Sequence, residues 1–133
     1  MYRWVDHTAE VELAIEAASE RDVFADALAA LAELLGVAGG VARATARRSV
    51  SVHAGDRPAL LAAWLEELVF LAESQGFVAT RLMSLELDDD SGLRTAVAGV
   101  IDDPAPIVKA VTYHRLTFEP GPDGYTASVV LDV

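Results

Sequence analysis

The stretch that decides the fold is Val-Glu-Leu-Ala-Ile-Glu-Ala at residues 11–17. Its large apolar residues recur at every second position, which predicts a strand with one buried face. Ser19 follows directly and predicts a helix start, because its hydroxyl can cap the free amides of the first turn, with Asp22 in a position like that of a capping box. Apolar residues at helical spacing continue to Leu35, and Gly36 predicts the end of this helix.

The rest of the chain predicts one more helix and a series of strands. Asp56-Arg57-Pro58 opens the second helix, and Gly76 ends it. The further strands are an opening strand before Asp6 and the segments Thr45–His53, Phe77–Leu87, Leu93–Val100, Ile107–Phe118 and Tyr125–Val133. Two helices and about six or seven strands predict one α+β domain over residues 1–133, with the helices packed against a mostly antiparallel sheet.

The chain is strongly acidic, with 21 Asp and Glu against 10 Lys and Arg and a net charge of −11. Because phosphate contacts need Lys and Arg, we expect no direct binding of nucleic acid. An acidic surface is better suited to a basic protein partner or to cations. The one basic cluster, Arg43, Arg47 and Arg48, is interpreted as a solvated strand edge, with an RNA or protein contact as the alternative.

Composition also predicts the cellular setting. The absence of cysteine excludes disulfides, thiolate catalysis and cysteine-based zinc sites. No signal-peptide pattern is present, and the apolar runs are too short to span a membrane. We therefore expect a cytoplasmic globular protein without membrane contact. The hydrophobic fraction of 53% favours an apolar patch covered by a partner, without specifying an oligomeric state.

Standard catalytic motifs are missing. The sequence has no phosphate-binding glycine loop, dinucleotide fingerprint, nucleophile elbow or His-Glu-x-x-His pair, and Gly39-Gly40 is interpreted as a turn. The acidic turn Asp88–Gly92 begins like a calcium-binding loop. Its twelfth position is Gly99, however, where such a loop needs a bidentate Glu, so we interpret the segment as a solvated hairpin.

Three polar clusters are candidates for function. The first contains Asp6, His7 and Glu10, between the opening strand and the alternating one. Asp, His and Thr in a turn commonly bond their own backbone. The alternative is a set of oxygen and nitrogen donors that hold a divalent cation.

The second cluster is Lys109 with Tyr113 and His114. Strand alternation predicts Lys109 and Tyr113 on one face and His114 on the other. A lysine among apolar strand residues usually lies at a sheet edge, and the alternative is that it faces a carboxylate or a phosphate.

The third cluster is Asp132, next to the terminal carboxylate of Val133. Two anionic groups this close make a poor structural pair unless a cation or Lys109 offsets their charge. Asp132 is therefore either an ordinary exposed residue at the end of a strand or a functional carboxylate, and the sequence leaves both interpretations open.

These segments, taken in order, resemble the archease family over nearly the whole chain. The opening Asp-His-Thr-Ala-Glu at 6–10 looks like the family's acidic-His-Thr-Ala-Asp motif, and Leu60–Leu68 looks like its leucine-rich helix. Val-Lys-Ala-Val-Thr-Tyr-His at 108–114 is the most specific match. The ending Leu-Asp-Val at 131–133 matches the family's acidic penultimate residue.

The resemblance implies an accessory protein for a GTP-dependent RNA ligase that acts in transfer-RNA splicing or RNA repair. Such a protein is not an enzyme; it promotes guanylylation of the ligase and multiple turnover. The family's metal-binding carboxylates map onto Glu10 and Asp132, with Val133 beside them, and its essential lysine maps onto Lys109. Asp6, His7, Tyr113 and His114 are possible supporting residues. The expected ion is Ca²⁺, Mn²⁺ or Mg²⁺.

Two departures and two alternatives accompany this resemblance. Glu10 stands where the family usually has aspartate, so the carboxylate lies one methylene further from the backbone, and Gly99-Val100 stands where the family often has Gly-Glu. One alternative is a chaperone-like modulator of an RNA-modifying methyltransferase. The other is a metal-dependent phosphoesterase built on two carboxylates and His7.

Overall fold

The computed structural model describes residues 1–37, 44–89 and 91–133, and it describes His7 by its backbone alone. Two helices and seven strands lie in these ranges, which confirms the predicted α+β fold. Their order is β1 (Tyr2–His7), β2 (Glu10–Ala17), α1 (Glu20–Leu34), β3 (Ala46–His53), α2 (Arg57–Gln75), β4 (Phe77–Leu87), β5 (Gly92–Ile101), β6 (Ala110–Gly121) and β7 (Gly124–Asp132).

The helix ends lie where their capping residues predict. The Ser19 hydroxyl accepts a hydrogen bond from the amide of Asp22 at 3.2 Å, and Asp56 caps α2 through the amide of Ala59 at 2.9 Å. Gly76 ends α2 in the left-handed conformation at φ 66°, which a residue without a Cβ adopts freely. Neither helix is long and apolar enough to cross a membrane.

The strands form two antiparallel sheets, where the sequence predicts a single one. Sheet A has the order β1-β2-β7-β6, and sheet B has the order β3-β5-β4. Hairpins join β1 to β2, β4 to β5 and β6 to β7. The pairing of β2 with β7 brings the first and last parts of the chain side by side.

The core lies between the helices and the inner faces of both sheets. Helix α1 packs on β2 and β4, and α2 packs on β6, β4 and β3, so the helices hold the two sheets together. At the centre the rings of Phe24 and Trp64 pack edge to face, with centroids 6.5 Å apart. Phe118 adds a third ring, 5.7 Å from Phe24. The Trp64 indole Nε1–H donates to the carbonyl oxygen of Phe24 at 3.0 Å.

The predicted strand Ile107–Phe118 requires correction. Strand β6 begins at Ala110, so Lys109 precedes it, and its pairing with β7 breaks between Thr112 and Thr117. The residues between these two bulge out, with Arg115 at φ 57°. Strict alternation therefore fails here, and Tyr113 and His114 are both exposed although the sequence places them on opposite faces.

Arg47 and Arg48 of the basic cluster lie on opposite faces of sheet B. Arg43 lies outside the described residues, as do Gly39, Gly40 and Asp90. Arg47 is exposed on sheet B, whereas Arg48 points to the other face, where its guanidinium lies 4.8 Å from the centroid of the Phe77 ring. Its Nε–H also donates to Gln75 Oε1 at 2.6 Å.

Candidate functional site at the end of sheet A

One end of sheet A collects residues from three separate parts of the chain. Thr8 and Ala9 form the tight turn between β1 and β2, with Ala9 at φ 58° and His7 paired with Glu10 by its backbone. The Val133 amide donates to the carbonyl oxygen of Ala9 at 3.2 Å. We call this end, made of Ala9, Glu10, Lys109, Asp132 and Val133, the acidic tip.

Glu10 and Asp132 face each other directly across β2 and β7. Leu13 and Leu131 point into the core and are fully buried, so alternation places both carboxylates on the outer face of the sheet. Directly opposed residues in an antiparallel pair have Cβ atoms about 4.5–5.5 Å apart. Both residues are half-buried, so two like charges are held close together with limited access to water.

The backbone of Lys109 is fixed beside this pair. Its amide donates to the carbonyl oxygen of Asp132 at 2.8 Å, and the preceding Val108 is buried in the core. The Lys109 side chain is exposed. Within the described part of the chain its ammonium group forms no ion pair, so the residue whose backbone adjoins Asp132 carries a cationic group free to meet a partner.

The remaining predicted residues are placed differently. Asp6 pairs with Val11, whose side chain contacts the core, so Asp6 belongs to the opposite face of the sheet from Glu10. For His7 the register gives only its backbone position opposite Glu10. Tyr113 and His114 lie in the β6 bulge, a few residues beyond the start of that strand at Ala110.

The bulge also presents a residue that sequence reasoning missed. Arg115 reaches toward Glu12, with Nη2 3.8 Å from Oε1, and its carbonyl oxygen accepts a hydrogen bond from Ser128 Oγ at 2.8 Å. Val130 points outward by alternation yet is fully buried, which indicates that the bulge folds over the outer face. The sequence signal was the polar run Tyr113–Arg115, which interrupts the apolar alternation.

The tip carries two oxygen donors of the kind that bind hard divalent cations. Oxygen ligands such as carboxylates are the donors that Ca²⁺, Mg²⁺ and Mn²⁺ prefer, and Glu10 and Asp132 provide two of them on one face. In the described residues, which exclude the His7 side chain, no group of three or more Asp, Glu, His or Cys side chains is placed to hold an ion. The pair therefore fits such a cation in charge and donor type, and further ligands would have to come from groups outside that set, such as the His7 side chain, backbone oxygen, water or a partner.

Comparison with known proteins gives a consistent result. The family model described as the Archease protein family (MTH1598/TM1083) matches residues 2–133. The archease of Methanosarcina acetivorans is 29% identical over 140 residues, which cover 99% of this chain and 95% of that protein. The archease of Pyrobaculum neutrophilum is also 29% identical, with the same coverage.

Two solved structures share the fold. The solution structure of protein 1598 of Methanobacterium thermoautotrophicum has a TM-score of 0.74 and 26% identity, covering 99% of this chain and 98% of that one. The crystal structure of a Thermotoga maritima protein, described as an archease and possible chaperone, has a TM-score of 0.69 and 20% identity. It covers 100% of this chain and 98% of that one.

Proposed function

This chain belongs to the archease family, and on that premise we propose that it is a non-catalytic activator of a GTP-dependent RNA ligase in the cytoplasm. The ligase joins an RNA end that carries a 3′-phosphate or 2′,3′-cyclic phosphate to a 5′-hydroxyl end. The activator promotes guanylylation of the ligase and lets each ligase molecule act many times.

The observation that carries this proposal is the pairing of Glu10 with Asp132 beside Lys109. Glu10 and Asp132 are half-buried and directly opposed across two strands; like charges so placed destabilise an antiparallel pair, and a bound cation offsets that repulsion. The exposed ammonium of Lys109 provides the opposite charge on the same tip. A small surface that carries both negative and positive charges suits a protein partner with a complementary pattern of charges.

The tip acts on the partner through binding. Glu10 and Asp132 would hold a divalent cation such as Ca²⁺, Mn²⁺ or Mg²⁺, with Val133 as a further expected ligand, and the ion would supply positive charge at the tip. Glu10 and Asp132 orient that charge, and Lys109 contacts an anionic group of the ligase or its nucleotide. The protein can favour the guanylylated state of the ligase only if it binds that state, or the path to it, more tightly than the resting state.

The test is ligase turnover. The cognate ligase is mixed with GTP, Mn²⁺ and excess RNA that carries 3′-phosphate and 5′-hydroxyl ends, with and without this protein. We expect many turnovers only when the protein is present. An unchanged single turnover contradicts the proposal, and metal-dependent phosphoester hydrolysis by the protein alone indicates the phosphoesterase alternative.

A second candidate is a chaperone-like modulator of an RNA-modifying methyltransferase. The description of the Thermotoga maritima protein as a possible chaperone agrees with the chaperone-like part of this candidate. Co-purification of a methyltransferase with this chain, combined with no effect on ligase turnover, supports that candidate over ligase activation.

A further inference from the structure

The outer face of sheet B differs from the rest of this acidic protein. Along it five strand positions that point away from the core carry small side chains: Ser49, Ser51, Ser84, Ala96 and Ala98. Three of the chain's 10 basic residues, Arg47, Arg81 and Arg94, stand on the same face. This face is therefore a flat surface of small side chains that also carries positively charged arginines.

Two of these arginines form a matched pair. Arg47 on β3 and Arg81 on β4 are both register partners of Ala98 on the central strand β5. Neighbouring strands lie about 4.8 Å apart, so the two Cα atoms are roughly 10 Å apart with only a methyl group between them. All three residues line one shallow cavity of about 350 Å³. Ala98 points outward and lies fully buried at the base of this cavity, which Ala44, Thr45 and Ala46 also line.

The guanidinium groups of Arg47 and Arg81 are available to bind an anion. Arg94 on the same face is engaged, since its Nη2 lies 2.7 Å from Glu86 Oε2. Arg47 and Arg81 are exposed, and among the described residues neither forms an ion pair. Two unpaired cations above one small residue repel each other, and a shared anion relieves that repulsion.

We propose that Arg47, Ala98 and Arg81 form a phosphate-binding site, separate from the acidic tip and independent of the ligase proposal. Guanidinium groups present planar forks of N–H donors that match phosphate oxygens, and Ala98 leaves the space between the forks open. The phosphate belongs to single-stranded RNA or to a free nucleotide.

The chemistry of the face favours recognition of phosphate rather than of bases. Proteins that bind single strands through their bases use aromatic side chains as stacking platforms. The outward positions of sheet B named above are Ser, Ala, Arg and Glu, and the His53 ring, which is also outward, lies at the opposite end of β3 from Arg47. With a net charge of −11 the chain repels nucleic acid as a whole, so we expect weak binding confined to this face.

The experiment follows the backbone amide resonances of the full chain during titration with inorganic phosphate, uridine monophosphate or a short oligouridine at low salt. We expect shifts centred on Arg47, Arg81 and Ala98. For oligouridine, neutralising two phosphates predicts a slope of about −1.4 in log binding constant against log salt, and about −0.7 after Arg47→Gln or Arg81→Gln. Arg94→Gln is the matched control and should leave the slope unchanged.

The outcomes separate the sources of phosphate. Tighter binding of oligouridine than of uridine monophosphate assigns the site to RNA, and equal binding assigns it to a free nucleotide. The proposal is overturned if the Arg47→Gln/Arg81→Gln double variant binds as the wild type does, if shifts are not localised, or if polyglutamate binds as well as oligouridine. Because no ligase is present, failure here does not bear on ligase activation.

Discussion

Glu10 and Asp132 are direct cross-strand partners at the end of sheet A, with both carboxylates on its outer face. Like charges placed directly opposite in an antiparallel pair destabilise the sheet. The fold nevertheless places them together, and the Lys109 and Val133 amides fix the neighbouring backbone.

Neutralising either carboxylate should raise the stability of the metal-free protein and abolish ligase activation. Glu10→Gln or Asp132→Asn removes one of two repelling charges, so we expect a gain of about 0.2–1 kcal/mol in the free energy of unfolding without metal. Divalent cations should raise the Tm of the wild type, because a ligand bound only to the folded state stabilises it. We expect this increase to be lost in both variants, together with ligase activation.

Glu16→Gln is the matched control, since Glu16 lies on the same face of β2 at its other end. It should retain both the cation response and activation. Full activation by Glu10→Gln or Asp132→Asn would contradict the role of the tip.

Lys109→Ala should abolish activation without affecting the fold. The side chain is exposed and the structural hydrogen bond to Asp132 comes from the backbone amide, so we expect a stability change within about 0.5 kcal/mol. Turnover assays and urea unfolding measure the two effects. Normal activation by Lys109→Ala would remove this lysine from the site.

The two tryptophans should respond differently to the same substitution. Trp64 is fully buried and its indole N–H donates to Phe24, so Trp64→Phe loses packing and a hydrogen bond and should cost about 2–4 kcal/mol. The buried Nε1 of Trp4 has no acceptor among the described residues. Trp4→Phe should therefore cost about 1 kcal/mol or less. Equal urea midpoints for the two variants would contradict this difference.

Alkaline pH should weaken the fold through Tyr2. Burial raises the pKa of Tyr2 from 10.0 to about 12, with further contributions from its hydrogen bond to Glu33 and from the charges of Glu33 and Asp26. The folded state therefore keeps its proton more tightly than the unfolded state does. This contribution to stability is complete below pH 10 and is lost as the pH rises toward 12.

Urea unfolding across that pH range, compared with Tyr2→Phe, measures this term. The loss of stability should be steeper in the wild type than in the variant. Parallel pH profiles would show that Tyr2 does not titrate differently on folding.

Gly99→Ala should disrupt sheet B. An added Cβ would lie 2.8 Å from the carbonyl carbon of Val78 and 2.9 Å from the Cα of Ala79. These backbone atoms cannot move aside without breaking the pairing of β4 with β5. We expect a loss of about 1–3 kcal/mol. Gly55→Ala is the control, because a Cβ there meets no heavy atom within 4 Å, and it should change stability by less than about 0.5 kcal/mol.

Local features of the fold could be predicted from the sequence because their causes lie within one turn or one strand. The caps at Ser19 and Asp56 and the glycine end at Gly76 each act on neighbouring backbone groups. The alternation of residues 11–17 identifies a half-buried strand for the same reason. The resemblance to archeases added Glu10, Lys109 and Asp132, which periodicity alone does not distinguish from ordinary surface residues.

Tertiary structure decided everything that depends on register between distant segments. The division into two sheets, the opposition of Glu10 and Asp132 and the alignment of Arg47 with Arg81 across Ala98 all depend on which strands pair and in what register. A shift of one residue would move each side chain to the other face. The β6 bulge likewise depends on how β7 pairs with both of its neighbours. The amino-acid sequence by itself therefore determined the elements and the ends of the helices, and long-range pairing determined which charges meet.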